Sequence, residues 1–294
     1  MSYLLHLAFL GLLYASLGMS LNLLAGYTGL LSMCHAAFFG LGAYTTALMT
    51  LRHGWHWSEA LILGALLVVI MALSLGSLSL RFRDDDFVIV TFSFQVIFYR
   101  VVQNWAPLTG GPPGLPGIPS PELLGWSVRS PLSYTLLAGI FIATTAVILY
   151  RLVSSPYGRV LRAIREDEGF ALSLGKPVHI YKRSVFIFGS VIAGLAGSLY
   201  APYLTYINPD SFTVQESIFM LSIVIIGGAG QLWGSAVGAF ALVLLPEMLR
   251  FLGLPSNIGA SLRQILYGGL LVACMLWRPE GVLGRRVFGS QGKL

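Results

Sequence analysis

The residues best suited to mechanical or chemical work lie in one polar island, YGRVLRAIREDEGFALSLGKPVHIYK, from Tyr157 to Lys182. Arg159, Arg162, Arg165, Glu166 and Asp167 recur there at helical spacing, with Val160, Leu161, Ile164 and Phe170 apolar between them, and Gly175-Lys176-Pro177 ends the pattern. Guanidinium and carboxylate groups on adjoining turns can set register on a partner while the apolar edge seats in its groove. Arg162 and Glu166 form an i,i+4 pair, with the basic residue first, the weaker order. A second set of polar residues interrupts otherwise apolar segments: Asn22, Ser32, His35, Thr91, Gln95, Arg100, Gln103 and Glu247. Polar groups at membrane depth are costly, and each serves either an interhelical hydrogen bond or a translocation path. Thr91 and Gln95 share a helical face. With Ser93 and Gln103 they predict a polar stripe, so Ser32, His35, Thr91 and Gln95 are the candidate path residues.

Motifs for covalent or nucleotide chemistry are absent from the sequence. Gly175-Lys176-Pro177 lacks the upstream glycine and the hydroxyl of a phosphate-binding GxxxxGK[ST] loop, and there is no HExxH, CxxC or GxSxG. The expectation is a chain that is not an enzyme and carries no cofactor and no metal. His53 and His56 stand beside Trp55 and Trp57, which suits an interfacial cluster or, alternatively, a metal site. Cys34 and Cys274 fall in apolar segments and read as spectator thiols.

The elements that must position these residues are membrane helices. The 294 residues are 56% hydrophobic and only 10% charged, with a mean hydropathy of +0.78, where soluble domains carry about 25% charged residues. The fold class is therefore an all-α, polytopic bundle forming one domain over residues 1–294. A bilayer core needs roughly 20 apolar helical residues per crossing. Spans are predicted at Leu4–Ala25, Leu30–Leu51, Ala60–Leu80, Phe87–Gln103, Leu132–Leu152, Ser184–Tyr206, Val214–Gly230, Ala236–Leu252 and Leu262–Trp277, about nine, with eight or ten equally compatible. The first of these reads as a span rather than a removable leader. Thirteen of the 18 Lys and Arg then share one side, among them Arg81, Arg83, Arg151, Arg159, Arg162, Arg165, Lys176, Lys182 and Arg183. Arg52, Arg100, Arg129, Arg250 and Arg263 are left. The basic side is cytoplasmic, with the N-terminus outside and the C-terminus inside. The net charge of +6 is thus anchoring and calls for no nucleic acid. The segment Pro107–Ser130, rich in Pro and Gly, predicts a long outer loop, either a connector or a docking surface or plug. Gly26-Tyr-Thr-Gly29 and Gly227-Gly-Ala-Gly230 open similar breaks, through internal repetition or convergent use of Gly for close packing.

A rigid, amphipathic helix tethered between spans can receive force, and with no nucleotide site in the chain the fuel would be a partner's. Seven stretches carry a family resemblance: GYTGLLSMCHAAFFGLGAY (Gly26–Tyr44), RFRDDDFVIVTFSFQVIF (Arg81–Phe98), LTGGPPGLPGIP (Leu108–Pro119), SPYGRVLRAIREDEGFALSLG (Ser155–Gly175), FGSVIAGLAGSLYA (Phe188–Ala201), SIVIIGGAGQLWGSAVGA (Ser222–Ala239) and RPEGVLG (Arg278–Gly284). Together they resemble the inner-membrane permeases of ABC importers, in the branched-chain amino acid family and of the LivM type. The resemblance implies a LivH-like second permease, two cytoplasmic ABC ATPases, a periplasmic substrate-binding protein and a bacterial cytoplasmic membrane. It also implies a coupling helix at about 157–175, with Arg159, Arg162, Arg165, Glu166, Asp167 and Gly175 contacting the ATPase. The family usually has Gln and Gly where this chain has Leu30 and Cys34. Because relatives also carry urea, short-chain amides and other solutes, those remain the alternative substrates. A stand-alone channel or ion-coupled carrier is a third possibility.

Overall fold

The computed structural model describes residues 2–79, 84–123, 126–251 and 268–269. The chain enters through α1 (Ser2–Thr28), α2 (His35–His53), α3 (Trp57–Ser79) and α4 (Asp84–Asn104), then a short α5 (Ala106–Thr109). After the loop come α6 (Pro131–Ser154), α7 (Pro156–Glu166), α8 (Glu168–Ser173), α9 (Val178–Leu204), a 3-10 turn (Pro209–Phe212), α10 (Val214–Gly227) and α11 (Leu232–Phe251). Eight of the predicted spans fall on long helices, and the ninth, Leu262–Trp277, lies outside the described residues. Among the described residues, six helical stretches are long and apolar enough to cross a membrane: Tyr3–Thr28, Trp57–Leu78, Asp86–Asn104, Pro131–Ser154, Val178–Leu204 and Pro209–Gly227. The α2 helix is diluted by Gly, Thr and His, and the apolar part of α11, Leu232–Leu245, is short.

α1 and α9 form the inner layer. Their most apolar windows are 56% and 67% buried, against 28%, 22% and 28% in α3, α4 and α6, whose outward faces present Ile62, Leu66, Ile89, Ile97, Leu136 and Ile140. Such apolar outer faces are what hydrocarbon, not water, demands of a helix. The tightest crossing joins α2 and α9. A Cβ on Gly42 would lie 1.9 Å from the Gly194 carbonyl oxygen, and one on Gly197 would lie 1.9 Å from that of Phe39. Small residues let the two backbones touch, which in a bilayer replaces the hydrophobic drive that association lacks.

The bundle has two distinct ends. One gathers the C-termini of α1 and α6, the N-termini of α9 and α11, and the α7–α8 unit. The other is capped by the segment between α4 and α6, which contains three two-residue strands, an addition to the all-α expectation. β1 (Leu115–Pro116) pairs antiparallel with β4 (Tyr206–Ile207), and β2 (Glu122–Leu123) pairs with β3 (Trp126–Ser127). Gly114, with φ of +75°, passes so close that a Cβ would meet the Ile207 carbonyl oxygen at 2.1 Å. Leu115, Ile118 and Val128 of this segment are buried, so it packs onto the end of the bundle.

One correction concerns the polar island. The single helix expected over 157–175 is two helices, broken at Asp167, whose backbone is extended (φ −155°, ψ 106°). The Asp167 carboxylate accepts from the Phe170 N–H at 2.9 Å. A short acidic side chain favours capping a new helix over continuing an old one.

Candidate functional site: the polar end of the bundle and the joint beneath it

On α7, Leu161 and Ile164 point into the protein while Arg159, Arg162, Arg165 and Glu166 are exposed. The charged face predicted from spacing is therefore present, but the Arg162–Glu166 pair is not: among the described residues no ion pair joins them. Arg162 turns back instead, donating from Nε to the Gly158 carbonyl (3.3 Å) and from Nη2 to that of Val153 (3.2 Å). This fastens α7 onto the end of α6, a cation placed where helix carbonyls lack partners. α8 is tied to α9 by Lys182, whose Nζ lies 2.6 Å from Glu168 Oε2, the lysine side chain only 6% exposed. The spacing of the sequence did not reveal this pair, because the two residues sit on different helices. Gly175 (φ +72°) ends the unit, with Lys176 N–H bonded to the Ala171 carbonyl. Around α8, Phe170, Leu172 and Leu174 are 60%, 49% and 59% exposed, large apolar groups beside a charged face. Burial pushes the Tyr157 phenol up, partly offset by its hydrogen bond with Ser184.

Beneath α7 the two glycine-rich breaks meet. Asn22, fully buried in α1, donates from Nδ2 to the Gly228 carbonyl (3.2 Å), the Gln231 carbonyl (2.8 Å) and Ser235 Oγ (2.6 Å), and its Oδ1 accepts from Gly230 N–H (2.8 Å). These residues are more than 200 positions apart in sequence. Arg165 adds a bond from Nη1 to the Gly26 carbonyl.

The four expected path residues also come together, around the buried start of α2. Gln95 Oε1 accepts from Ala37 N–H (2.7 Å) and Ser217 Oγ (3.3 Å), and its Nε2 donates to the Phe212 carbonyl (2.8 Å). Thr91 Oγ1 accepts from Met33 N–H, Ser217 Oγ accepts from Ala36 N–H, His35 Nε2 lies 2.8 Å from Ser20 Oγ, and Ser32 Oγ contacts Cys34 Sγ. The first N–H groups of a helix have no partners of their own. Here side chains of α4 and α10 supply them, so Thr91 and Gln95 brace a helix start. Ser93 does not join their stripe; it is exposed and bonds within α4. Arg100 is exposed and bonds Gln103, and the Glu247 side chain lies outside the described residues. Spacing missed Glu216, at the start of α10, which accepts a hydrogen bond from Tyr14 of α1; only its place at a span edge could have flagged it. Among the described residues no group of three or more His, Cys, Asp or Glu could hold a metal. His56, Trp55 and Trp57 instead line a cavity of about 460 Å³ at the capped end, with Thr50, Ser120, Glu122 and Arg129.

Comparison with known proteins decides what kind of bundle this is. Residues 3–275 match the family model described as branched-chain amino acid transport system, permease component. The chain belongs to that family. It is 33% identical over 300 residues to the high-affinity branched-chain amino acid transport system permease protein LivM of Escherichia coli, covering 94% of this chain and 69% of that one. BraD of Pseudomonas aeruginosa, a permease protein of the same kind, is 22% identical, covering 94% and 92%. A probable LivH permease of Methanocaldococcus jannaschii is 27% identical over 157 residues, 49% of this chain and 48% of that one. No solved structure matches. The several long apolar helices of this permease fit a multi-pass membrane protein.

Proposed function

We propose that this permease is the membrane-spanning subunit of an ATP-driven importer of branched-chain amino acids in the bacterial cytoplasmic membrane. It works beside a LivH-like second permease, two cytoplasmic ABC ATPases and a periplasmic binding protein. The observation that carries this reading is the α7–α8 unit: a charged face with Phe170, Leu172 and Leu174 exposed beside it, outside the apolar bundle yet tied to α6 and α9. Large exposed apolar groups rimmed by charge mark a docking surface for a partner. Arg159 and Glu166 set its register, and the ATPase supplies the free energy the chain cannot.

The α7–α8 end faces the cytoplasm. Arg151, Arg159, Arg162, Arg165, Lys176, Lys182 and Arg183 gather there, against Arg52, Arg100 and Arg129 at the capped end, which is the asymmetry of the positive-inside rule. The N-terminus is then outside and about nine spans follow, eight on the long helices and one at 262–277. Mechanism is a shift between two states of the bundle that the ATPases, by binding one state better, drive in turn. Ser32, His35, Thr91 and Gln95 lie beside the path as braces of α2, whose tilt they fix.

The test is leucine uptake into proteoliposomes holding this chain with its second permease, ATPases and binding protein. Uptake is expected with ATP and absent without it. Leucine movement by the chain alone, or uptake of urea or amides in place of leucine, would overturn the reading. Impermeant maleimide should reach a cysteine at position 129, but not one at 159, from outside intact cells.

A further inference from the structure

The two glycine-rich breaks are one joint, and we infer that Arg165 is the positioning residue that ties α7 to it. This rests on the proposal that α7–α8 is the lever. Gly26 lies flat against the α10–α11 turn: a Cβ there would be 2.3 Å from Gly230 N and 1.7 Å from Asn22 Oδ1. Four hydrogen bonds of Asn22 then weld α1 to that turn. Arg165 spans both sides of the weld. Its Cγ would lie 3.7 Å from a Cβ on Gly29 and its Nη1 2.9 Å from one on Gly230, while Nη1 donates to the Gly26 carbonyl.

That carbonyl belongs to the last turn of α1, where the acceptors lack intrahelical donors. The N–H of Leu30 goes past it to Leu24 (3.3 Å). A guanidinium at a helix C-terminus also meets the negative end of the helix dipole. Movement of α7 therefore reaches the end of α1 and the start of α11 through the Arg165 side chain as well as through the packing of Leu161, and the Asn22 weld makes those two ends move together. Of the three arginines on α7, Arg162 holds the helix to α6, Arg159 faces out, and Arg165 faces the joint.

The experiment compares Arg165→Met and Arg165→Lys in the reconstituted importer, reading leucine moved per ATP hydrolysed. A fault of folding or assembly lowers both rates in proportion and leaves the ratio unchanged. Loss of a link lowers the ratio itself, here by roughly fivefold or more, the lower end of site-to-site coupling. Lys, which still offers a cationic donor, should restore part of it. Hydrogen exchange on the full chain alone gives a second readout, with faster exchange at Gly230 N–H expected in Arg165→Met. An unchanged ratio, no rescue by Lys, or unchanged exchange at Gly230 overturns the inference. If Arg165→Met is silent while Glu166→Arg abolishes uptake, the lever stands and only this link falls. If both are silent, the lever itself falls.

Discussion

Asn22→Ala removes the weld while leaving every helix its own backbone bonds. Four hydrogen bonds go at once, three donated by Nδ2 and one accepted by Oδ1. The two Nδ2 hydrogens are shared among three acceptors, so with the Oδ1 bond about three interhelical hydrogen bonds are lost, each about 0.6 kcal/mol in membrane proteins, together about 1.8 kcal/mol. The N–H of Gly230 also loses its acceptor in a part-buried place, which adds about 1 kcal/mol at the lower end of the usual range. A total near 3 kcal/mol, at about 2 °C per kcal/mol for a chain of this size, predicts a fall of about 6 °C in thermal midpoint. The assay is thermal unfolding of the detergent-solubilised full chain. Asn104→Ala is the control: its Nδ2 bonds only the Arg100 carbonyl of its own helix, at an exposed position, and the midpoint should move by no more than about 1 °C. Asn22→Asp keeps the acceptor for Gly230 but loses the three donated bonds and buries a charge, so it should be at least as harmful as Ala. If Asn22→Ala shifts the midpoint no further than Asn104→Ala, the breaks are not joined by this side chain.

Gly42→Leu should prevent folding or assembly of the bundle, seen as loss of monodisperse protein in gel filtration, because a side chain there meets the Gly194 backbone at 1.9 Å. Gly139→Ala, with nothing within 4 Å of its Cβ, should behave as the parent. Gln95→Leu removes its hydrogen bonds with Ala37 N–H, Ser217 Oγ and the Phe212 carbonyl, while Ala37 N–H keeps the Cys34 carbonyl at 3.1 Å; at about 0.6 kcal/mol for each lost bond the thermal midpoint should fall by about 4 °C, and Ser93→Ala should leave it unchanged. Glu166→Arg should abolish ATP-driven leucine uptake with normal membrane insertion, checked by quantitative blotting of membranes beside the uptake assay.

Length, hydropathy and the spacing of apolar runs determined the class of this protein and eight of its long helices, because a helix in hydrocarbon must satisfy its own backbone and hide little from lipid. The amphipathic pattern likewise marked α7, whose Leu161 and Ile164 face inward as spacing requires. Local chemistry refined it: the Asp167 cap that splits the island into two helices was legible in Glu166-Asp167-Glu168-Gly169 only once capping was weighed against periodicity. What no local pattern could supply is partnership. Thr91 and Gln95 share a face, but only the packed bundle shows that this face meets the start of α2. Asn22 and Gly230, or Lys182 and Glu168, become partners through the packing of different helices, since hydrogen bonds and ion pairs are decided by distances in space. The sequence names the groups that must find partners in a low-dielectric interior; the tertiary structure alone decides which ones they find.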